Sequence, residues 1–440
     1  MEQIKTDNFN TKSVMNFYQL FYVLMIVILT LVIGKISIFT FSILLILAIP
    51  FLINLERLIE IAYILSLLPY YLLGADEAIF SIYSILMVML LITAFMKKKF
   101  YVKHLFQFLI MILIIPLSYF NSDIQYENGL RALIYLVFFT IVITITYKID
   151  NIKPLARLPY ISCLLLTFLG IHILVSPFII LGRYTLSSSL NPNTFGMASA
   201  QLGIVLMYSI KSTRNLIDKL VFSIFISLAF LLSFLSGSRS SLLALILSFL
   251  IFFILLGARN RKILLYLFYS SIFILITFLI SYIFIQINLF NLDISRLSIS
   301  SIIDSGGTNR IFLWENVINN VINNKPFLGY GPGHPTSSEL IFSLIHRTYS
   351  HTHNTLIEAF TELGLLGLLF FSIILINAFK SAYDKAKNNQ NYYVVLGIFI
   401  GILINGIGES YFVSATQWIV IALAISSYKN TIHNEAYIEA

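Results

Sequence analysis

Apolar residues run along this chain in long unbroken blocks, and polar residues fall between the blocks rather than alternating with them. A bilayer core roughly 30 Å thick takes about 20 apolar residues per helix. Blocks suited to that task lie near 17–33, 36–54, 58–73, 78–95, 104–120, 130–147, 158–181, 194–210, 217–235, 240–257, 263–287, 353–379, 391–408 and 411–427. The third and the last two are short or closely spaced, so the pattern predicts 12 to 14 transmembrane helices. Continuous runs without period-two alternation predict helices and not barrel strands. The expected fold class is all-α, a polytopic integral membrane helix bundle. Residues 1–12 are polar and no small-residue cleavage site follows the first block, which therefore reads as an uncleaved anchor.

Composition agrees with the pattern. Of 440 residues, 58% are hydrophobic and 11% charged, whereas a soluble domain is about half apolar and a quarter charged. The single cysteine, Cys163, lies inside a block, which excludes disulfides and a thiolate metal site. The formal net charge of +8 is sorted by loop. Cationic clusters (Lys97–Lys99 with Lys103; Lys148, Lys153 and Arg157; Lys211, Arg214 and Lys219; Arg259, Arg261 and Lys262; Lys380, Lys385 and Lys387) alternate with loops carrying Asp76-Glu77, Asp123 with Glu127, and Glu409. This is the positive-inside distribution, and it puts both termini in the cytoplasm. The basic balance thus reports topology and does not imply nucleic acid.

Two features depart from the alternation. The stretch from about Asn288 to Ser350 is the only long connection and falls on the outside, and a loop of that length is usually functional. Within it, Ile311, Trp314, Val317, Ile318, Val321 and Ile322 recur at helical spacing until Pro326 and the run Gly329–Gly333 end the pattern. They predict an amphipathic helix at the outer surface, its stripe facing lipid or the bundle; a plain packed cap is the competing reading. The second departure is external arginine: Arg183 in LGRYTLSSSLNPN, Arg239 in FLSGSRSSLLAL, at a tight turn or helix start, and Arg310. One such arginine is explained by snorkelling toward lipid phosphates. Three beside the chain's histidine cluster favour a shared anionic ligand, because guanidinium forks bind phosphate oxygens bidentately.

That histidine cluster lies in SHTHNTLIEAFTELGLLG, residues 350–367. Thr355 and Glu358 have capping-box spacing, which puts His353 and Asn354 just ahead of a helix N-terminus, where free amides and the helix dipole favour an anion. Glu358 and Glu362 share one face of that helix, and Gly364 and Gly367 permit close packing. An imidazole, carboxylates and guanidiniums together suit transfer onto a hydroxyl: a base takes the proton while positive charge holds a phosphate leaving group. Histidine, with an unperturbed pKa near 6.5, can act as that base. Other readings of the same residues are a zinc site from His346, His351, His353 and Glu358, a purely structural helix-cap histidine, and a proton relay through Glu358 and Glu362.

Three pieces of the sequence, spanning roughly residues 183–370, together resemble the O-antigen ligase and O-antigen polymerase superfamily. A histidine followed by Asn, Ser or Gln, then nine residues, Gly, two residues and Gly, Thr or Tyr, is met by His353-Asn354, Gly364 and Gly367. An Arg-x-x-x-Leu element is met by Arg239 and Leu243, and an external arginine opening an aromatic or apolar helix by Arg310 and Trp314. The resemblance implies a C-type membrane glycosyltransferase, inverting and metal-independent, with no cofactor. It implies a polyprenyl-diphosphate-linked glycan as donor and a glycan or lipid A-core as acceptor. Membrane lipids surround it, a chain-length regulator is a candidate partner, and the expected location is the bacterial inner membrane with the site facing outward. Carried onto this chain, His353 is the general base, Arg239 and Arg310 hold the donor diphosphate, and Arg183 is a third basic contact. Tyr330, Asn354 and Glu358 are substrate-binding candidates that orient the base or the sugar. Asn191-Pro192-Asn193 resembles a segment that opens a helix near the donor groove in relatives.

Organisation follows from these pieces: N-terminal transmembrane helices over 1–182, a catalytic region over 183–379 that includes external loop 288–351, and C-terminal helices with a cytoplasmic tail over 380–440. The Asn-Pro-Asn segment and the Gly329–Gly333 run favour a repeat-unit polymerase of O-antigen or capsule over a ligase. A lipid-linked glycan flippase is the rival from another class. It is disfavoured because no internal repeat is visible and the titratable groups collect at one edge instead of at the midplane.

Overall fold

The computed structural model describes residues 100–102, 105–122, 127–149, 153–175, 178–180, 182–185, 191–213, 215–254, 310–333, 352–389, 392–410 and 412–428. The first four expected spans, the eleventh, loop segments 288–309 and 334–351 with His346 and His351, and the terminal tail lie outside these residues. The described chain is mostly helical. In order it forms β1 (Phe100–Val102), α1 (Leu105–Phe120), α2 (Glu127–Thr144), β2 (Ile145–Ile149), α3 (Lys153–Val175), β3 (Phe178–Ile180), β4 (Arg183–Thr185), α4 (Pro192–Ser212), α5 (Leu216–Leu235), α6 (Arg239–Phe252), α7 (Arg310–Asn324), α8 (Thr355–Asn388), α9 (Tyr393–Gly408), α10 (Ala415–Ile425) and β5 (Ser427–Tyr428).

Two of these helices, Leu216–Leu235 and Thr355–Asn388, are long and apolar enough to cross a membrane, and five shorter helices are apolar along their length. Their packing is tight where side chains are small. Gly397 and Gly401 of α9 lie against Tyr208 and Gln201 of α4, and a Cβ at either would come within 2.5 Å of those side chains. Around Trp418 the core is aromatic: Phe371 meets Phe412 edge-on at 5.0 Å between ring centres, and the Trp418 indole N–H donates to the Phe412 carbonyl at 2.8 Å.

Strands correct the all-α expectation in two places. β1 pairs antiparallel with β2, which pairs parallel with β5. More consequentially, the block read as one span over 158–181 ends as a helix at Val175, and the chain turns into an antiparallel hairpin in which Phe178 pairs with Thr185 and Ile180 with Arg183. Gly182, at φ 70°, occupies the turn, a conformation that favours glycine. The apolar run Phe178–Leu181 is indistinguishable from helix by hydrophobicity alone, so the hairpin that fixes Arg183 is invisible in the pattern.

The segment around Arg310 forms the expected helix, but its apolar stripe divides. Leu313, Val317 and Val321 are buried, one turn apart, with Trp314, Tyr330 and Ile357 packed on the first two. Ile311, Phe312 and Ile322 remain exposed. The helix is therefore docked by one narrow face against α8.

α8 is broken within its length. Gly364 sits at φ 67°, ψ −164°, a region essentially restricted to glycine. Breaking the helix frees backbone groups, and the glycine-rich segment after α7 takes them: Tyr330 N–H donates to the Thr361 carbonyl at 2.9 Å, Gly331 N–H to Glu362 at 3.0 Å, Leu365 N–H to Pro326 at 2.8 Å and Leu366 N–H to Phe327 at 3.3 Å. The Ser118 hydroxyl of α1 lies 2.6 Å from the Leu328 carbonyl and 2.5 Å from that of Glu362. A Cβ at Gly329 would fall 2.6 Å from backbone atoms of the break. Gly329 and Gly364 thus let two backbones touch, while Gly331 makes room for the Ser122 side chain.

Candidate functional site

At one end of the bundle α4, α6 and α8 begin while α5 and α9 end, and the polar residues of those termini meet. Each start has a local cause. Asn191 caps α4, its side chain accepting from Asn193 N–H, with Pro192 as the first helical residue, where a missing N–H costs nothing. Gly237, at φ 59°, turns the chain from α5 into α6, which opens at Arg239. Asn354 caps α8, its Oδ1 accepting from Leu356 N–H at 3.0 Å and Ile357 N–H at 3.1 Å. This moves the cap one residue ahead of the expected Thr355; Thr355 instead donates its hydroxyl proton to the Glu409 carbonyl at 3.1 Å. Capping by an Asx side chain and by Thr are chemically equivalent, so spacing alone does not choose between neighbours.

The centre of the cluster is Glu409, the residue that ends α9. Its Oε2 lies 3.0 Å from His353 Nδ1. Its Oε1 accepts from Asn193 Nδ2 at 3.0 Å and lies 3.8 Å from Arg310 Nη2. Arg310 Nη1 donates to the Gly408 carbonyl at 2.6 Å. On the far side, Arg183 Nη2 donates to Asn193 Oδ1, and Arg183 Nε to the Ser236 carbonyl at 2.8 Å. The turn bearing Arg239 fits between: a Cβ on Gly237 would come 3.1 Å from Arg183 Nε, and a Cβ on Gly408 would come 2.4 Å from Ser240 Cβ. Arg310 and His353 therefore face a single carboxylate directly and Arg183 faces it through Asn193, while Arg239 opens α6 beside the Gly237 turn.

His353 reaches this position through a strained backbone. Its φ of 56° makes it the one described non-glycine residue with positive φ, a conformation that persists only when the surroundings over-determine it. Those surroundings are visible. Trp314 donates its indole N–H to the carbonyl of the preceding Thr352 at 2.8 Å, Asn354 Nδ2 donates to the Ile407 carbonyl at 3.3 Å, and Glu409 holds the ring. Burial next to the site also acts on Tyr184, whose phenol is pushed above its usual range by desolvation and so stays neutral at physiological pH.

Of the candidate residues, the structure brings Arg183, Arg310, His353 and Asn354 together and starts α6 with Arg239 beside them. Glu358 is fully buried one turn into α8, as is Glu362. Tyr330 is engaged with the docked helix, donating its hydroxyl proton to Asn320 Oδ1 and packing on Leu313 and Val317. Two residues were missed as parts of a site. Glu409 reads in the sequence as one acidic punctuation mark between closely spaced blocks, and Asn193 as a helix-opening residue. No spacing rule connects them to partners 56 and 216 positions away.

What the arrangement can do follows from its polarity. A carboxylate on Nδ1 fixes the tautomer that leaves Nε2 as the accepting nitrogen, the logic of a base held by an acid. The guanidiniums and the starts of three helices supply positive potential beside it.

Residues 222–372 match the family model described as O-antigen ligase. Among curated proteins, this chain is similar to one from Rickettsia felis, 29% identical over 133 residues that cover 26% of this chain and 31% of that protein. It is similar to another from Rickettsia conorii, 26% identical over 133 residues with the same coverage. The names of both describe them as polysaccharide ligases. The matched region thus spans about a third of the relatives' length. These findings support the O-antigen ligase superfamily for this chain. The family match holds Arg239, Arg310, His353, Gly364 and Gly367, whereas Arg183, Asn193 and Glu409 lie outside it.

Proposed function

We propose that the protein is a membrane glycosyltransferase of surface-polysaccharide biosynthesis. It transfers a glycan from a polyprenyl diphosphate carrier to an acceptor sugar hydroxyl, with inversion and without a metal. One observation carries the reading: the His353–Glu409 pair at 3.0 Å has Arg310 beside it and Arg183 across Asn193, with α6 opening at Arg239 at the same end of the bundle. His353 Nε2 takes the acceptor hydroxyl proton as the oxygen attacks the anomeric carbon. The bond from that carbon to the diphosphate oxygen breaks, and the electron pair leaves with the diphosphate, whose growing charge the arginines stabilise. Glu409 positions the imidazole and stabilises its protonated form. Asn354 orients the base by fixing the start of α8, and Glu358 supports it from the buried face of the first turn.

The relatives' names favour ligation, the movement of a finished glycan onto lipid A-core or another acceptor. Repeat-unit polymerisation is the second reading, and what favours it is the Asn191-Pro192-Asn193 turn placed directly on Glu409. In either case the catalytic part of this multi-pass inner-membrane protein is the region 183–379 completed by Glu409 from the C-terminal helices, with the site on the outer face.

The test is purified protein supplied with a synthetic polyprenyl-diphosphate repeat unit, with and without a second acceptor. Product growing from donor alone establishes polymerisation, and product only on the second acceptor establishes ligation. Transfer that survives His353→Ala unchanged, or no transfer under any acceptor, overturns the reading.

A further inference from the structure

The φ of a residue turns about the bond joining its N to its Cα, so it is set by the rigid peptide plane in front of that residue. For His353 that plane carries the Thr352 carbonyl. Trp314 of α7 donates its indole N–H to this oxygen at 2.8 Å, and Thr352 is fully buried, where losing a donor is costly. The plane behind His353 is fixed from α8 and α9. Asn354 caps α8 with its Oδ1 and donates Nδ2 to the Ile407 carbonyl at 3.3 Å. Its own carbonyl accepts the Thr352 hydroxyl at 3.1 Å. His353 thus projects at φ 56° from a closed turn, tied on one side to α7 and on the other to α8 and α9.

The same turn of α7 reaches the other member of the pair. Arg310 and Trp314 stand one helical turn apart on one face of α7, and Arg310 Nη1 donates to the carbonyl of Gly408 at 2.6 Å. This turn is therefore anchored on the residue before Glu409 and on the residue before His353, whose side chains meet at 3.0 Å. Trp314 is seated by packing, since with Tyr330 and Ile357 it covers Leu313 and Val317. We propose that Trp314 is a positioning residue: its N–H sets the φ of His353 and so aims the imidazole at the acceptor hydroxyl. The external-loop helix then acts on proton transfer through the backbone. This inference rests on the general-base reading above.

Trp314→Phe keeps an aromatic ring and removes the donor. A second variant carries benzothienylalanine at position 314, an isostere with sulfur in place of the N–H, introduced by stop-codon suppression. Both are made with His353 present and with His353→Ala, purified as the full chain, and assayed for a single turnover with the synthetic polyprenyl-diphosphate repeat unit and acceptor. Without the N–H the Thr352 carbonyl is released from α7, so the single-turnover rate should fall about tenfold, the worth of one hydrogen bond. The half-saturating donor concentration should stay unchanged. With His353→Ala there is no base left to misplace, so the residual rate should change by less than about twofold. That pattern supports the proposal. An equal fall in both backgrounds overturns it, because a loss of folded protein lowers every rate alike. An unchanged rate overturns it too, as does a fall that shows in the half-saturating concentration instead. If even the isostere fails to fold, Trp314 supports the fold and not the base, and the proposal is wrong. In all these outcomes the general-base reading stands. If His353→Ala itself transfers at the unaltered rate, that reading fails and the role of Trp314 falls with it.

Discussion

The mouth of α8 and its break at Gly364 belong to one helix and are built on opposite terms. At the mouth, side chains hold one another: His353 on Glu409, Asn193 between Arg183 and Glu409, and Asn354 over the first amides of the helix. At the break, backbones hold one another through four amide–carbonyl bonds, and side chains contribute mainly by being absent. The mouth demands residue types, whereas the break demands room. A histidine motif that combines His353-Asn354 with Gly364 and Gly367 therefore joins a chemical requirement to a geometric one. The geometric part clamps the helix and, through Tyr330 and the docked α7, the Trp314 that steadies the histidine's backbone.

Variants should separate the two regions. His353→Ala strikes the mouth alone. Transfer should fall about a thousandfold, within the range for loss of a general base, while the unfolding temperature moves by no more than about 2 °C, the shift that about 2 kcal/mol produces in a chain this long. Initial rates and a thermal scan measure both, and a large loss of stability would merge the regions. Gly364→Ala strikes the break alone. The added Cβ would lie 2.3 Å from the Phe327 carbonyl carbon on a backbone that disfavours side chains, a cost of about 3 kcal/mol or more. It should appear as a sharply lowered unfolding temperature or loss of folded yield. Ser118→Ala sharpens the contrast from the other direction. It removes a hydroxyl bonded to the break, costs about 1 kcal/mol, and should leave the donor affinity of the folded protein unchanged; a shifted affinity would tie the break to substrate.

Legibility in the sequence follows the same division. Arginine against the alternation of loop charge and histidine at a helix start are rare enough in an apolar chain to stand out, and Arg183, Arg239, Arg310 and His353 could be singled out by type and position. Helices α1 to α6, α8 and α9 follow the apolar blocks because continuous hydrophobicity in lipid permits little else. The hairpin at Arg183 escaped because its Phe-Ile-Ile-Leu run carries no period. Glu409 escaped because a lone carboxylate in a short loop carries no pattern, and its importance arises only when α9 returns beside α8. The pairing of Gly329–Gly331 with residues 361–366 escaped for a deeper reason: glycine spacing announces close approach without naming the surface approached.

The clamp at Gly364 constrains how the site can move. Lifting the segment 326–331 would leave the eight backbone donors and acceptors of four hydrogen bonds without their present partners, and each that stays buried away from water costs about as much as a lost hydrogen bond. That segment is a fixed sill under the doorway. Any movement that admits a ligand to the site has to hinge outside this segment.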